Sequence, residues 1–267
     1  MTFHAGIKAP LFVPADRPER FSKAAGSGAD AVILDLEDAV VSVNKDQARA
    51  KLAVDFTHLP VIVRVNDALS AWHKADLERV RDLGPGAVML PKAKGTDMLE
   101  QVARDLGPQI AIVALVECAQ GIANARTMAA SGHVARLAFG SIDYCADLSC
   151  AHSRDALLWA RGELVLASRL AGLESPIDGV TANVSDPDLA YDDAAYARSL
   201  GFSGKLCVHP RQIAPVKRAF APSEKEIDWA MRVLAATHGA ARVDGEMVDK
   251  PVRLRARAIL AEAGRNG

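Results

Sequence analysis

The chain has 267 residues, 50% of them hydrophobic and 24% charged, which excludes wholesale disorder and leaves room for one large domain or two small ones. Lys and Arg number 32 against 33 Asp and Glu, so the formal net charge of -1 offers no basic excess for nucleic acid or an anionic membrane. No apolar run approaches the roughly 18–20 residues that span a bilayer, residues 1–10 lack the apolar core of a secretion signal, and four cysteines (Cys118, Cys145, Cys150, Cys207) fall far short of disulfide density; the expectation is a cytoplasmic protein.

Taken in chain order, short apolar runs alternate with longer segments of helical period. The runs cover residues 11–15, 31–36, 61–66, 87–91, 110–117, 136–140, 177–182 and 204–209. They are rich in Val, Ile and Leu without strict alternation, as strands buried on both faces of a parallel sheet are. The helical segments predicted between them cover 17–26, 45–56, 71–83, 96–106, 119–130, 153–171, 186–200 and 210–220. Asn44, Ser70, Thr96 and Ser185 stand where N-caps belong, and Gly26, Gly84, Gly107 and Gly201 where helices stop.

Eight strand–helix units predict an α/β fold of the TIM (β/α)8 type, with an extra C-terminal helix over 223–238 and a tail over 240–267. The expected organisation is a barrel over residues 1–220 and a helical extension over 221–267. Gly26-Ser27-Gly28 and Gly84-Pro85-Gly86 precede strands, so they read as turns at the bottom of the barrel rather than phosphate cradles.

In such a barrel the C-terminal strand ends converge on one site. Here those ends carry Asp16-Arg17, Asp35-Leu36-Glu37-Asp38, Arg64-Val65-Asn66, Lys92, Glu117, Ser141-Ile142-Asp143 and Lys205 through His209. Any one of these reads as a solvated loop residue. Acids and bases at nearly every top end do not, because gathered carboxylates are costly without a cation. Hard oxygen donors with no histidine cluster suit Mg2+ or Mn2+, and Glu117 with Asp143 form the natural direct pair, the acids after strand two holding the outer sphere. Arg17 and Arg64 are the nearest cations, and their planar forks suit an anionic substrate such as a keto acid, or else pair with the strand-two acids. Cys118, Cys145, Cys150 and His152 could be assembled into a zinc site, but their spacing favours small core cysteines.

The motifs Leu11-Phe12-Val13-Pro14-Ala15-Asp16-Arg17-Pro18-Glu19-Arg20, Leu34-Asp35-Leu36-Glu37-Asp38-Ala39-Val40, Val63-Arg64-Val65-Asn66, Leu90-Pro91-Lys92, Phe139-Gly140-x-x-Asp143 and Gly204-Lys205-Leu206-Cys207-Val208-His209-Pro210 occur in that order over nearly the whole chain. Together they resemble the citrate lyase β-subunit-like family within the HpcH/HpaI aldolase group. One departure is Glu117-Cys118, where that family usually has Glu-Thr or Glu-Ser.

The resemblance implies a Mg2+-dependent carbon–carbon lyase acting on β-hydroxyacyl thioesters of the citryl-, malyl- or citramalyl-coenzyme A kind, with the thioester as substrate. Carried over, Glu117 and Asp143 match metal ligands, Glu117 also touching substrate. Arg17 and Arg64 match substrate-binding arginines, Arg64 with a catalytic share, and Glu37 and Asp38 match acids around the metal. Asp249, within Asp244-Gly245-Glu246-Met247-Val248-Asp249, matches an acid that reaches a neighbouring subunit's site, implying a homo-oligomer, with a trimer favoured, and a catalytic proton-transfer role. The alternatives are an aldolase on free hydroxy-keto acids, a thioester hydrolase on the same site, or a citrate lyase subunit that acts on an acyl-carrier protein.

Overall fold

Buried runs such as Ala31–Asp35, fully enclosed at every position, have no polar face to offer water and must be covered on both sides. The computed structural model describes residues 6–236 and 242–264. Eight such strands occur in it: β1 (Pro10–Pro14), β2 (Ala31–Asp35), β3 (Val61–Arg64), β4 (Ala87–Leu90), β5 (Ala111–Val116), β6 (Arg136–Phe139), β7 (Ile177–Asp178) and β8 (Gly204–Lys205). Neighbours pair in chain order and in parallel. The last strand returns to the first. Lys205 N–H donates to the Lys8 carbonyl at 2.8 Å, Cys207 N–H to Pro10 at 2.9 Å, and Phe12 N–H to Cys207 at 2.9 Å, closing the predicted barrel. The seam is tight: a Cβ on Gly204 would fall 2.7 Å from the Ile7 carbonyl oxygen, so only glycine fits there.

Alternate strand residues fill the interior. Ala31 and Ile33, Ala87 and Met89, Val113 and Leu115 pack there with Ile62, Ala138, Ile177 and Leu206. The intervening Val32, Leu34, Val63, Val88 and Leu90 are equally buried, under the helices. At the barrel floor, Arg136 lies buried with its guanidinium donating to the Ser175 and Ile7 carbonyls and to Ser203 Oγ. Burial pulls its pKa down to about 10 against the opposing charge of Glu174.

The connecting helices are α1 (Phe21–Ala25), α2 (Lys45–Ala50), α3 (His73–Leu83), α4 (Thr96–Leu106), α5 (Ala119–Ala123), α6 (Ala125–Ala130), α7 (Ser141–Leu148), α8 (Arg154–Leu170), α9 (Pro187–Leu200) and α10 (Ile213–Phe220). Gly84 and Gly201 end α3 and α9 in the left-handed conformation, as their positions predict. Several start signals shift. Asp186, not Ser185, caps α9, Gly95 precedes α4, and Asn44 makes no side-chain cap bond. The predicted helix over 119–130 breaks in two at Asn124, and α7 forms where a loop was expected.

The chain forms two compact units that divide after Lys217. In the second, α11 (Glu224–Ala235) and α12 (Lys250–Glu262) bury Ile227, Ala230, Val233, Ala256, Ile259 and Leu260 between them. A two-stranded hairpin, β9 (Arg242–Val243) and β10 (Glu246–Met247), lies in the sequence between those helices. His238, the expected end of α11, is outside the described residues.

Candidate active site

The C-terminal strand ends open into a cavity of about 400 Å³. Asp35, Asp38, Arg64, Glu117 and Asp143 supply its charged lining, and Phe12, Leu115, Phe139, Val180 and Leu206 its apolar wall. The charged groups come from the C-terminal ends of β2, β3 and β5, or just beyond them, and from the first turn of α7, which is why residues up to 108 positions apart in sequence meet.

Arg64 is the hub on one side. Its Nε and Nη2 donate to the two Asp35 oxygens at 2.7 and 2.6 Å. Its Nη1 lies 3.0 Å from Glu37 Oε2 and 3.4 Å from Asp38 Oδ2, and its guanidinium stacks 4.8 Å from the Phe12 ring centroid. Asp35 also accepts the Glu37 and Ala39 N–H groups, fixing the turn that follows β2. The Glu37 contact is ionic only, since Oε2 is close to Arg64 but out of hydrogen-bond alignment, leaving it without a hydrogen-bond partner. Burial lowers the pKa of Arg64, but Asp35, Glu37 and Asp38 outweigh it and hold the guanidinium charged.

Glu117 occupies the opposite side, 3% exposed. Its Oε1 accepts the Lys92 N–H at 2.7 Å. Lys92 has a left-handed backbone (φ 49), unusual for a residue with a side chain, and this turns its Nζ back to Glu37 Oε1 at 3.0 Å and to Asp143 Oδ2 at 4.0 Å. Gly140 packs directly on Glu117, leaving no room for a side chain: a Cβ there would lie 2.2 Å from Oε2. Burial, then the charge of Glu37 and that of Asp143, pushes the Glu117 carboxyl up to about 8. Burial and Asp38 likewise raise Glu37 against the pull of Arg64 and Lys92. Five carboxylates thus face two cations, and the buried Glu37 and Glu117 resist ionisation.

A strut supports this cluster. Lys45 is buried, and its Nζ donates to the Leu36 and Glu37 carbonyls at 2.8 Å each and to Asn66 Oδ1 at 2.6 Å. Asn66 in turn donates to Asp76, which also receives Arg49. The charged pair that ends β2 is therefore tied to β3 through neutral and buried partners. Across the barrel, Asp178 receives Arg161 and Lys205; burial works to raise it, but these two charges hold it below the usual carboxylate range.

The strand-end reading therefore brings together Glu37, Asp38, Arg64, Glu117 and Asp143. One other cation of that reading, Arg17, is not in the lining. Its side chain is 57% exposed, 3.9 Å from Asp16 Oδ1. Asp249 belongs to the second unit, where its carboxylate accepts the Val252 N–H at 3.0 Å and caps α12. Two contributors, Lys92 and Lys45, received no role from sequence. Lys92 carries the same signal that singled out Arg64, a cation at the top of a strand; Lys45 opens helix α2 and carries none. Among the described residues no three His, Cys, Asp or Glu side chains are grouped as protein ligands for one metal, and the proposed zinc donors are engaged elsewhere. Cys118 sulfur accepts the Gly121 N–H at 3.3 Å, doing the capping work of a Ser or Thr, and His152 Nε2 contacts Ser141 Oγ at 3.0 Å.

The profile of the family described as HpcH/HpaI aldolase/citrate lyase matches residues 8–210. A citrate lyase subunit beta-like protein of Mycobacterium tuberculosis is 37% identical over 266 residues, which cover 95% of this chain and 94% of the relative. A (3S)-malyl-CoA thioesterase of Cereibacter sphaeroides is 35% identical over 271 residues, covering 96% and 94%. The crystal structure of CitE from Mycobacterium tuberculosis in complex with magnesium, acetoacetate and coenzyme A matches with a TM-score of 0.88 at 36% identity, covering 97% of this chain and 99% of that one.

Proposed function

The chain belongs to the HpcH/HpaI aldolase/citrate lyase family, and from that premise we propose that it is a Mg2+-dependent lyase. Its substrate on this reading is a β-hydroxyacyl thioester of the citryl-, malyl- or citramalyl-coenzyme A kind. The products are an acetyl thioester and a keto acid. One observation carries the proposal: buried carboxylates from separate strands share a cavity with too few cations, so that Glu117 is pushed up to about 8.

That donor set fits a divalent cation. It is all oxygen, it is short of positive charge, and a buried acid forced towards neutrality is one that a cation would relieve. Mg2+ suits two protein carboxylates with water and substrate oxygens completing its sphere, and Mn2+ is the alternative. Glu117 and Asp143 would hold it, with Glu37 and Asp38 in the surrounding layer. When bound, the ion acts as a Lewis acid on the substrate's oxygens.

The chain's own side chains do the rest. Asp35 grips two of the Arg64 nitrogens, which leaves Nη1 turned to the acids around the cavity and able to donate to the carboxylate of the keto-acid portion. As charge builds on the substrate oxygens, a guanidinium already oriented stabilises it without reorganising. Lys92 offsets the charge of Glu37 and keeps Glu117 in place through its N–H. Arg17, exposed beyond β1, would meet an anionic part of the substrate outside the cavity. Asp249 from another copy of the chain would move the proton, in a homo-oligomer with three subunits favoured. The setting proposed is the cytoplasm.

The relationship to a malyl-CoA thioesterase favours a second reading, hydrolysis on the same site. A mass-spectrometric screen of acyl-coenzyme A thioesters with and without Mg2+ separates the two. Acetyl-coenzyme A and a keto acid, formed only with the ion, support the lyase. Free acid and coenzyme A without carbon–carbon cleavage select the hydrolase. Turnover restricted to free hydroxy-keto acids, or only in the presence of an acyl-carrier protein and partner subunits, would replace both.

A further inference from the structure

Helix α7 ends in a turn with a cysteine at each end, Cys145 and Cys150. The Cys150 N–H donates to the Cys145 carbonyl at 3.1 Å, the Ser149 N–H donates to Ala146 at 3.4 Å, and Ser149 is left-handed at φ 54. These two bonds define a Schellman ending, in which the first and last residues of the turn bring their side chains together, ordinarily as an apolar contact. Here both side chains end in sulfur. Cys145 is buried with its Sγ 3.7 Å from the Ala151 carbonyl, Cys150 is half-buried, and both are free at the two positions that the turn draws together. The site chemistry uses neither of them.

We infer that Cys145 and Cys150 form a redox latch, closed to a disulfide by a peroxide or by glutathione disulfide. Cys150, the more accessible, attacks as thiolate. With hydrogen peroxide it becomes a sulfenic acid as hydroxide leaves, and Cys145 then displaces the second oxygen as water. Two thiols and one peroxide give one disulfide and two waters; the thiols lose two electrons and two protons. With glutathione disulfide, Cys150 forms a mixed disulfide and releases one glutathione, and Cys145 releases the other.

On this inference, closure pulls on the end of α7. The S–S bond is about 2.05 Å long, well short of any non-bonded sulfur contact, so Cys145 and the helix end are drawn towards Cys150. The same eight-residue helix begins at Ser141 and carries Asp143 in its first turn. A shift of about 1 Å at a reacting group costs on the order of 100-fold in rate. The loop closed is short, so the bond adds little loop-closure stabilisation and opens readily with reductant. The effect on turnover rests on Asp143 acting as a cation ligand, as proposed above; formation of the bond does not.

The test treats the purified full-length chain with hydrogen peroxide or glutathione disulfide, maps its thiols after denaturing alkylation, and measures Mg2+ affinity by calorimetry and thioester turnover before and after dithiothreitol. The expected result is a protein two hydrogens lighter with Cys145 joined to Cys150. Turnover and Mg2+ affinity fall at least about tenfold and recover with reductant. Cys150→Ser keeps its turnover through the same treatment, and Cys118→Ser behaves as the parent. The inference is overturned if both thiols stay open to alkylation, if Cys118 is the partner found, if Cys150→Ser loses turnover equally, or if the linked protein keeps its Mg2+ affinity and turnover. An untreated protein inert on every thioester, yet forming the bond and losing Mg2+ affinity with it, would remove the lyase reading and leave the latch standing.

Discussion

Gly140→Ala tests the site through its tightest contact. The added methyl carbon would lie 2.2 Å from Glu117 Oε2, 2.4 Å from Glu117 Cβ and 3.0 Å from its carboxyl carbon. Non-bonded carbons rest roughly 3.5–4.0 Å apart, so Glu117 must withdraw by more than about 1 Å. Rotating its side chain cannot relieve the clash, because Cβ itself is struck, and the main chain is held by the 3.0 Å bond from Gly140 N–H to the Val116 carbonyl. The two strand ends therefore part, and the carboxylate leaves the Lys92 N–H that now holds it at 2.7 Å. Overpacking of this kind costs about 1–3 kcal/mol of stability, which a barrel of this size can absorb. A 1 Å displacement of a cation ligand costs on the order of 100-fold in kcat/KM, or about 2.7 kcal/mol at 1.36 kcal/mol per tenfold. The assays are Mg2+-dependent turnover of the best thioester found, Mg2+ titration calorimetry, and circular dichroism to establish that the fold persists. A folded variant whose turnover and Mg2+ affinity match the parent would refute the placing of Glu117 at the cation.

Glu117→Gln should remove measurable Mg2+ binding with the far-ultraviolet spectrum unchanged; calorimetry showing parental affinity would reject the assignment. In the parent, a carboxyl pushed up to about 8 must release its proton as the ion binds, so affinity should climb with pH up to that value and then level. Without the ion, the raised value means that this group's contribution to stability is complete below the ordinary glutamate range and is lost as pH rises towards about 8. Chemical denaturation across that window should show the decline in the parent and not in Glu117→Gln. Lys45→Met strips the donor from two buried carbonyls and from Asn66, and leaving buried acceptors unpaired costs about 1–3 kcal/mol. Urea denaturation checks the loss, and a lower kcat should accompany it because the turn bearing Glu37 and Asp38 is freed. Arg64→Lys keeps the charge but cannot span both Asp35 oxygens, so turnover should fall despite the conserved cation; steady-state kinetics equal to the parent would show that the fork is not needed.

What could be read from the sequence follows from which signals are local. Continuous Val, Ile and Leu runs specify strands that must be covered on both faces, so β1 to β8 were legible, and with them the rule that places Glu117, Asp143 and Arg64 at one end. Helix boundaries were less so. The break at Asn124 and the existence of α7 depend on tertiary bonds such as Asn124 Nδ2 to the Lys94 carbonyl and Ala119 N–H to Asp147 Oδ2. Side-chain direction was not legible at all. Lys92 looks like any lysine after a strand until its left-handed backbone aims it at Glu37, and Lys45 looks like a solvated helix residue although it is buried under three acceptors. Both positions sit where acids outnumber cations. Charge balance is thus the signal that motif reading underuses: each buried carboxylate needs a donor or a counter-charge, and tracing those needs outward from Glu37 and Glu117 leads to Lys92, to Lys45 by way of the Glu37 carbonyl, and to a remaining deficit of positive charge that a divalent cation fits.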